Sequence, residues 1–272
     1  MRQAAERPVR IALVAEDSRG CEAMEEWLAP ATLSHEKRFQ ALDGVFRFTE
    51  ETRSEPCDIA LVQTGLGLAG ESRFEFDPGR PERAVAEILQ ARPDLQLPLA
   101  RLYQPFRREV TQEIVQNVSK ENALFSLATA LPNVLPSWAS ALWSVGEFAS
   151  DTTVLTANQI RMAFLLAAAS DREVGFKEQR TEIGSLMAGA FGWRAVAREL
   201  AGKIPFGGGL IPKAAIAYAG TYVVGISLER LYRVGELLTR EERRGAYEAA
   251  YDKGKQIAAA MVDAYKRKRG GE

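Results

Sequence analysis

Two long segments almost without charge lie in the second half of this chain, and they constrain its fold more than any other feature. Residues 122–146 carry no charged side chain, and residues 204–228 carry a single one, Lys213. About 20 mainly apolar residues can span a bilayer as a helix. Both segments are rich in Ala, Ser, Gly and Pro, however, which equally suits a tightly packed soluble bundle. Membrane contact and a soluble core therefore both stay open.

Composition excludes some broader classes. The 272 residues are 26% charged and 46% hydrophobic, which is ordinary for a folded protein. A net charge of -1 argues against nucleic acid as the main partner, because phosphate neutralisation needs a basic surplus. Residues 1–121 hold 16 Lys and Arg against 21 Asp and Glu, whereas residues 122–272 hold 19 against 15. This split predicts two regions with different surroundings.

Residues able to hold a metal or to act as a catalytic base are scarce. Cys21 and Cys57 are the two cysteines, and His35 is the single histidine. Their spacing fits neither a zinc site nor a disulfide framework, and two thiols suit a reducing compartment. The apolar run 11–15 is too short for a signal peptide and indicates a first strand. We therefore predict a cytosol-facing protein with no catalytic residue, no metal and no cofactor.

The first part of the chain alternates between strand and helix patterns. Strands are predicted over 9–15, 45–49, 58–63 and 95–103, the last as an edge strand because it contains Pro98. Helices are predicted over 19–28, with Ser18 as the cap, and over 81–91, with proline in the first turn. Alternating strands and helices predict a small, mostly parallel sheet.

From Pro105 onward the strand signal gives way to helical spacing. Helices are predicted over 105–131, 138–149, 157–170 with Thr156 as the cap, 178–200, 212–234, and from 239 into a basic tail. The predicted class is α+β by segments. It comprises a small α/β domain over 1–103, a larger all-helical domain over 104–235, and a C-terminal helix with its tail over 236–272.

The first strand, turn and helix resemble the start of a P-loop protein. The P-loop spacing falls on Ala15, Gly20, Cys21 and Glu22, so the second glycine is present but the lysine and the hydroxyl are replaced. A carboxylate at the hydroxyl position would repel phosphate. We expect a degenerate, P-loop-like scaffold that does not hydrolyse nucleotides. Gly65, Gly67 and Gly70 also match a dinucleotide loop in letters, but no helix is predicted after them, which favours a plain loop.

Longer motifs in the second half resemble a known family. They are the runs at residues 120–123 (KENA), 154–159 (VLTANQ), 193–199 (WRAVARE) and 212–221 (PKAAIAYAGT). Their order is similar to that of domain of unknown function 697, the YcjF-like helical domain often found behind Era-like GTPase domains. The resemblance covers roughly residues 105–235. It implies a helical, membrane-associated domain and, in the first part, the place where relatives can carry a GTPase domain.

The resemblance marks family-motif positions of unknown role, namely Asn122, Asn158, Gln159, Trp193, Arg194, Arg198, Lys213, Gly220 and Thr221. Local physics gives some of them structural explanations. Asn158 and Gln159 are expected to bond backbone in the turn before a helix, and Thr221 to bond a backbone carbonyl. Gly220 and Gly225 are expected to permit close helix contact.

Three functions follow as hypotheses. The leading one is a non-enzymatic scaffold or adaptor at the cytoplasmic face of a membrane, with lipid, a GTPase or a second copy of the chain as partner. The alternatives are a soluble, nucleotide-responsive pseudo-GTPase in the cytoplasm and a soluble oligomeric structural protein.

Overall fold

The computed structural model describes residues 1–49, 57–66, 72–129, 151–184 and 209–270. The chain divides into two compact units. The first comprises Met1–Thr111 with Ala167–Glu173, and the second comprises Gln112–Leu166 with Val174–Glu272.

The first unit contains a four-stranded parallel sheet with the order β2-β1-β3-β4. The strands are β1 Ile11–Ala15, β2 Val45–Thr49, β3 Ile59–Gln63 and β4 Arg73–Phe76. All five residues of β1 are buried, as are the first four of β3. A parallel strand covered on both faces needs apolar residues throughout, which explains the uninterrupted runs IALVA and IALV.

Helices of the first unit are α1 Arg2–Ala5, α2 Ser18–Leu28, α3 His35–Leu42, α4 Pro81–Ala91 and α5 Gln96–Leu102. The longer helices that follow are α6 Gln104–Ala128, α7 Asp151–Ala169, α8 Leu210–Val234 and α9 Arg240–Gly270. The described chain is thus mainly helical with a small parallel sheet, as predicted. The predicted helix over 138–149 and most of the one over 178–200 lie outside the described residues.

The predicted edge strand over 95–103 is wrong. Residues Pro93–Leu95 form a 3-10 turn, and α5 follows directly. Pro98 is the third residue of α5, where its missing N–H costs no intrahelical hydrogen bond. Leu95, Leu99 and Ala100 are buried, so the apolar residues follow helical spacing.

The true last strand is β4, in a stretch predicted as loop. Its burial alternates, with Phe74 and Phe76 buried and Arg73 and Glu75 exposed. The alternation of aromatic and charged residues was a visible strand signal. In the sheet β4 is the edge strand beside β3. One face of β4 is buried and its other face is exposed to water.

Two predicted helix caps are also wrong. Asp17, and not Ser18, caps α2, since its side chain accepts a hydrogen bond from the Gly20 N–H at 2.9 Å. Thr156 cannot be the cap of α7, because α7 already includes Asp151 and Thr156 therefore lies inside the helix. Its side chain is buried. His35 begins α3 and is exposed, with Ser34 as the cap.

Within the second unit α8 and α9 form an antiparallel helix pair joined by a short loop. Gly235 ends α8 in the left-handed region, with φ of 81°, and its N–H bonds the Leu231 carbonyl at 2.9 Å. Thr239 and Glu242 form a capping box for α9, with hydrogen bonds of 2.8 and 3.2 Å. Glu242 also accepts a hydrogen bond from Arg230 at 2.7 Å. These hydrogen bonds lower the pKa of Glu242 to about 2; the bond from the Thr239 N–H has the largest effect and the bond from Arg230 the next largest.

Small residues let α8 and α9 approach closely. A Cβ added to Gly254 would lie 3.0 Å from the Ala215 Cα and 3.1 Å from the Ala215 carbonyl oxygen. Both of these atoms belong to backbone, which cannot rotate away. Around this contact Ala214, Tyr218, Ala219 and Val223 of α8 pack with Tyr247, Ala250 and Ala258 of α9.

We expect Gly254→Ala to lower the free energy of unfolding by about 1–2 kcal/mol, because overpacking exceeds the gain in helix propensity. Gly245 on the same helix is a matched control, since a Cβ there meets no atom of the described part of the chain within 4 Å. Gly245→Ala should raise the free energy of unfolding by up to about 1 kcal/mol. Urea titrations would measure both. Two changes of the same sign would contradict the close approach.

Candidate functional site

The turn between β1 and α2, where the P-loop spacing falls, is filled by a side chain of β3. Gln63 Oε1 accepts a hydrogen bond from the Glu16 N–H at 3.2 Å. A Cβ on Gly20 would lie 2.4 Å from that same oxygen and 2.7 Å from the Ala15 Cβ. The end of the Gln63 side chain could shift, but the Ala15 Cβ cannot rotate away, so the position of Ala15 requires glycine at residue 20. A backbone N–H that could meet a phosphate is occupied by an amide oxygen.

Cys21, at the P-loop lysine position, belongs to the core. Its thiol lies 3.7 Å from the Leu13 carbonyl oxygen and 3.9 Å from that of Phe48, and burial raises the pKa of Cys21. Glu22 at the hydroxyl position is exposed, 4.0 Å from Arg47. Of the glycine loop after β3, Gly65 is described, with φ of 100°, and Gly67 and Gly70 lie outside the described residues.

A buried polar network links three helices of the second unit. Asn122 on α6 donates from Nδ2 to the Thr221 hydroxyl oxygen on α8 at 2.8 Å. Asn158 on α7 donates from Nδ2 to the Asn122 Oδ1 at 2.7 Å. Asn122 Nδ2 also reaches the Leu155 carbonyl oxygen at 3.4 Å. Asn122 and Thr221 are 0% and 1% exposed.

The structure thus brings together three residues that the sequence motifs singled out, Asn122, Asn158 and Thr221. Asn158 lies within α7 rather than in the predicted turn before it, and its Nδ2 donates to the Asn122 side chain. Thr221 likewise pairs with that side chain, accepting its hydrogen bond. Buried amides and hydroxyls that satisfy one another fix the mutual register of helices. The network is uncharged, so it offers positioning rather than acid–base chemistry.

The surroundings of the network explain how the helices come so close. A Cβ on Gly225 would lie 2.7 Å from two methyl groups of Val115 and 3.0 Å from the Met162 sulfur. The predicted close contact at Gly225 is therefore confirmed. At Gly220 the described residues provide no such contact, since none of their atoms lies within 4 Å of the position of its missing Cβ. Beside the network, Glu121, which directly precedes Asn122 on α6, pairs with Arg161 on α7.

Two further residues that the sequence motifs singled out, Lys213 and Gln159, lie within the described residues. Lys213 is exposed and its Nζ lies 3.3 Å from the Thr129 hydroxyl oxygen. Gln159 is half-buried on α7. Trp193, Arg194 and Arg198 lie outside the described residues.

One face of α8 is partly exposed and uncharged. It is formed by Ile216, Ala217, Gly220, Val224, Ser227 and Leu231. From Ala217 on, these residues recur every three or four positions and therefore share a side of the helix, and Ile216 borders the same side. Within the described residues α8 is the one helix long and apolar enough to cross a membrane, with mean hydropathy 1.2 over its most apolar stretch. A core helix can meet the same criterion, but just 39% of that stretch is buried.

The described part of the other uncharged segment is covered. Asn122, Ala123, Phe125, Ser126 and Leu127 are all buried, so this end of the segment packs in the core of the second unit. Residues 130–146 lie outside the described residues.

No protein-family model, curated protein or solved structure matches this chain. The similarity to domain of unknown function 697 stays a prediction from the motifs. The candidate sites are therefore argued from their own geometry.

Proposed function

We propose that this chain is a membrane-associated scaffold rather than an enzyme, acting at the cytoplasmic face of a bilayer. The uncharged, partly exposed face of α8 carries the proposal. Lipid acyl chains are the partner that such a face suits, because they accept apolar side chains and need no hydrogen bonds from them. The similarity to a YcjF-like domain supports the same assignment.

Peripheral contact suits α8 better than full insertion. The helix is long enough to span, at about 37 Å. Its opposite face, however, packs against α9, which is strongly charged at both ends. Carrying α9 into hydrocarbon would bury those charges at a cost of several kcal/mol. A surface orientation leaves α9 in water and lets Lys213, near the start of α8 and one turn before Ala217, reach lipid headgroups.

Anionic headgroups would add to this contact. Residues 266–269, shortly before the last residue of the sequence, are four consecutive basic residues. Each such residue near an anionic surface contributes about 1 kcal/mol at low salt. We therefore expect tighter binding to vesicles that contain phosphatidylserine than to neutral ones, with the difference shrinking as salt rises.

Vesicle flotation with a matched pair of substitutions tests the proposal. Ala217→Glu places a carboxylate on the uncharged face of α8, whereas Ala249→Glu makes the same change at an exposed position of α9. We expect Ala217→Glu to reduce binding to phosphatidylcholine–phosphatidylserine vesicles at least about tenfold and Ala249→Glu to leave it unchanged. Failure of the unaltered protein to float at low salt would overturn the proposal. A dimer without lipid that Ala217→Glu dissociates would instead support the soluble oligomer.

A soluble pseudo-GTPase is the second proposal, and the sheet order favours it. In doubly wound sheets ligands bind beyond the carboxyl ends of strands, where the connections diverge. Here that point lies between β1 and β3, beside the turn at Glu16. The Gln63 side chain in that turn weighs against a phosphate. Calorimetry with guanosine diphosphate is the test, and no heat of binding at millimolar nucleotide would remove this proposal.

A further inference from the structure

A small basic pocket in the first unit lies apart from the turn between β1 and α2. Its volume is about 40 Å³. Three cationic side chains and one carboxylate line it, together with two amides and two leucines, namely Lys37, Arg101, Arg107, Asp171, Gln40, Gln104, Leu33 and Leu102. The lining therefore has a surplus of two positive charges.

Arg107, near the start of α6, is held by backbone carbonyls. Its Nε donates to the Ala100 and Ala169 carbonyl oxygens at 3.0 and 3.1 Å, and its Nη2 donates to that of Arg101 at 2.8 Å. Within the described residues no carboxylate lies within ion-pair distance of Arg107. Burial, together with the nearby Arg101 charge, lowers the pKa of Arg107 despite an opposing effect of Asp171. An anion in the pocket would relieve this excess of charge.

Among the described residues, Asp171 is the one acidic group in the lining of this pocket. Its Oδ2 accepts a hydrogen bond from Lys37 Nζ at 2.9 Å, and its Oδ1 lies 3.7 Å from Arg101 Nη2. Arg101 is further fixed by a hydrogen bond from Nη1 to the Arg172 carbonyl oxygen at 2.9 Å. Asp171 adopts a positive φ of 55° at the end of α7. Hydrogen bonds within the protein thus hold the side chains of Lys37, Arg101 and Arg107 in place around the pocket.

The dimensions fit a small tetrahedral ion. One water molecule needs about 10–15 Å³ by the same kind of measure, so the pocket has room for a few heavy atoms. A groove of about 510 Å³ adjoins it and shares Gln40, Arg101 and Leu102 with it. The groove also contains Arg10 stacked over Phe46 at 4.9 Å. Any organic group attached to the ion would have space there.

We propose that this pocket binds a phosphate monoester, with Lys37, Arg101 and Arg107 as its ligands. A phosphate monoester carries nearly two negative charges at neutral pH, which matches the surplus of the lining. Arginine donates in a planar fork that suits phosphate oxygens. The ester could belong to a soluble metabolite or to a lipid headgroup, and these two sources share the same recognition chemistry.

Calorimetry of the full chain with inorganic phosphate at low ionic strength tests the pocket. Lys37→Gln should weaken binding and Asp171→Asn should strengthen it, each by about fivefold, because they move the local charge in opposite directions. Asparagine tolerates a positive φ as well as aspartate does, so Asp171→Asn keeps the turn. Lys255 and Asp252 form a similar pair on α9, 2.7 Å apart. Lys255→Gln and Asp252→Asn should leave phosphate affinity within about twofold.

Vesicles distinguish the two sources of the ester. Binding of inorganic phosphate with this pattern of variants supports a soluble ligand. Preference for vesicles containing phosphatidic acid over vesicles of the same charge containing phosphatidylserine, with the same pattern of variants, supports a lipid headgroup. No binding to either probe, or equal binding by Lys37→Gln and Asp171→Asn, would overturn the proposal. Ala217→Glu should leave binding of inorganic phosphate unchanged, so the pocket and the membrane face can fail independently.

Discussion

Replacing Asn122 with alanine is expected to lower the free energy of unfolding by about 3 kcal/mol. The side chain is fully buried and bonds Thr221 on α8, Asn158 on α7 and the Leu155 carbonyl. Alanine would leave an amide and a hydroxyl without these partners and would open a cavity among three helices. Urea unfolding followed by circular dichroism would measure the change.

Asn117 provides the matched control on the same helix. Its side chain is exposed and its hydrogen bond to Glu113, at 3.4 Å, lies at the surface. Asn117→Ala should cost about 0.5 kcal/mol or less. A double-mutant cycle of Asn122→Ala with Thr221→Val should show a coupling of about 1 kcal/mol or more. Equal losses for Asn122→Ala and Asn117→Ala would mean that the network does not hold the helices together.

Arg107→Ala is expected to lower the free energy of unfolding by about 2–3 kcal/mol. The guanidinium serves carbonyl groups at the ends of two helices, those of Ala100 and Arg101 in α5 and that of Ala169 in α7. Terminal carbonyls of a helix have no partner within it, so a cation there both bonds them and complements the helix dipole. Without Arg107, these half-buried oxygens lose their donors.

The neighbouring Arg108 provides a control that distinguishes the effect of losing a positive charge from the effect of losing the carbonyl contacts. It is exposed on the same turn of α6, so Arg108→Ala removes the same charge without removing the carbonyl contacts. We expect a loss of about 0.5 kcal/mol or less, measured in the same urea titration. Arg107→Lys keeps the charge but loses the forked geometry of the guanidinium. Its loss in the free energy of unfolding should lie between those of Arg107→Ala and Arg108→Ala. If the Arg107 and Arg108 variants unfolded alike, the contacts of Arg107 would contribute nothing.

Sequence patterns predicted the elements whose residues follow one period. The continuous apolar runs of β1 and β3 indicated buried parallel strands, and α8 and α9 begin within two residues of their predicted starts. The error at 95–103 arose because LQLPLARLY alternates like a strand over its first residues, while Leu95, Leu99 and Ala100 also share a helical face. Short apolar runs fit both periods, and tertiary contacts decide between them.

Contacts between distant residues could not be predicted in this way. Gln63 enters the turn at Glu16 across 47 residues, and nothing in the local sequence of β3 indicates it. Arg107 looked like one more charged residue near a helix start, since its partners at Ala100 and Ala169 are carbonyls present at every position. The motifs did single out Asn122, Asn158 and Thr221, but not that they meet, because their pairing depends on how three helices pack.

The short loop between α8 and α9 has a consequence for the order of folding. Arg230 and Glu242 are 12 residues apart, and the Thr239 box and the Gly235 cap need still shorter separations. Closing such a loop costs little chain entropy, so this helix pair can form early. The Asn122–Thr221 bond joins residues 99 apart and must wait for a much larger loop to close. We therefore expect the α8–α9 pair to be a local folding unit, upon which α6 and α7 assemble afterwards.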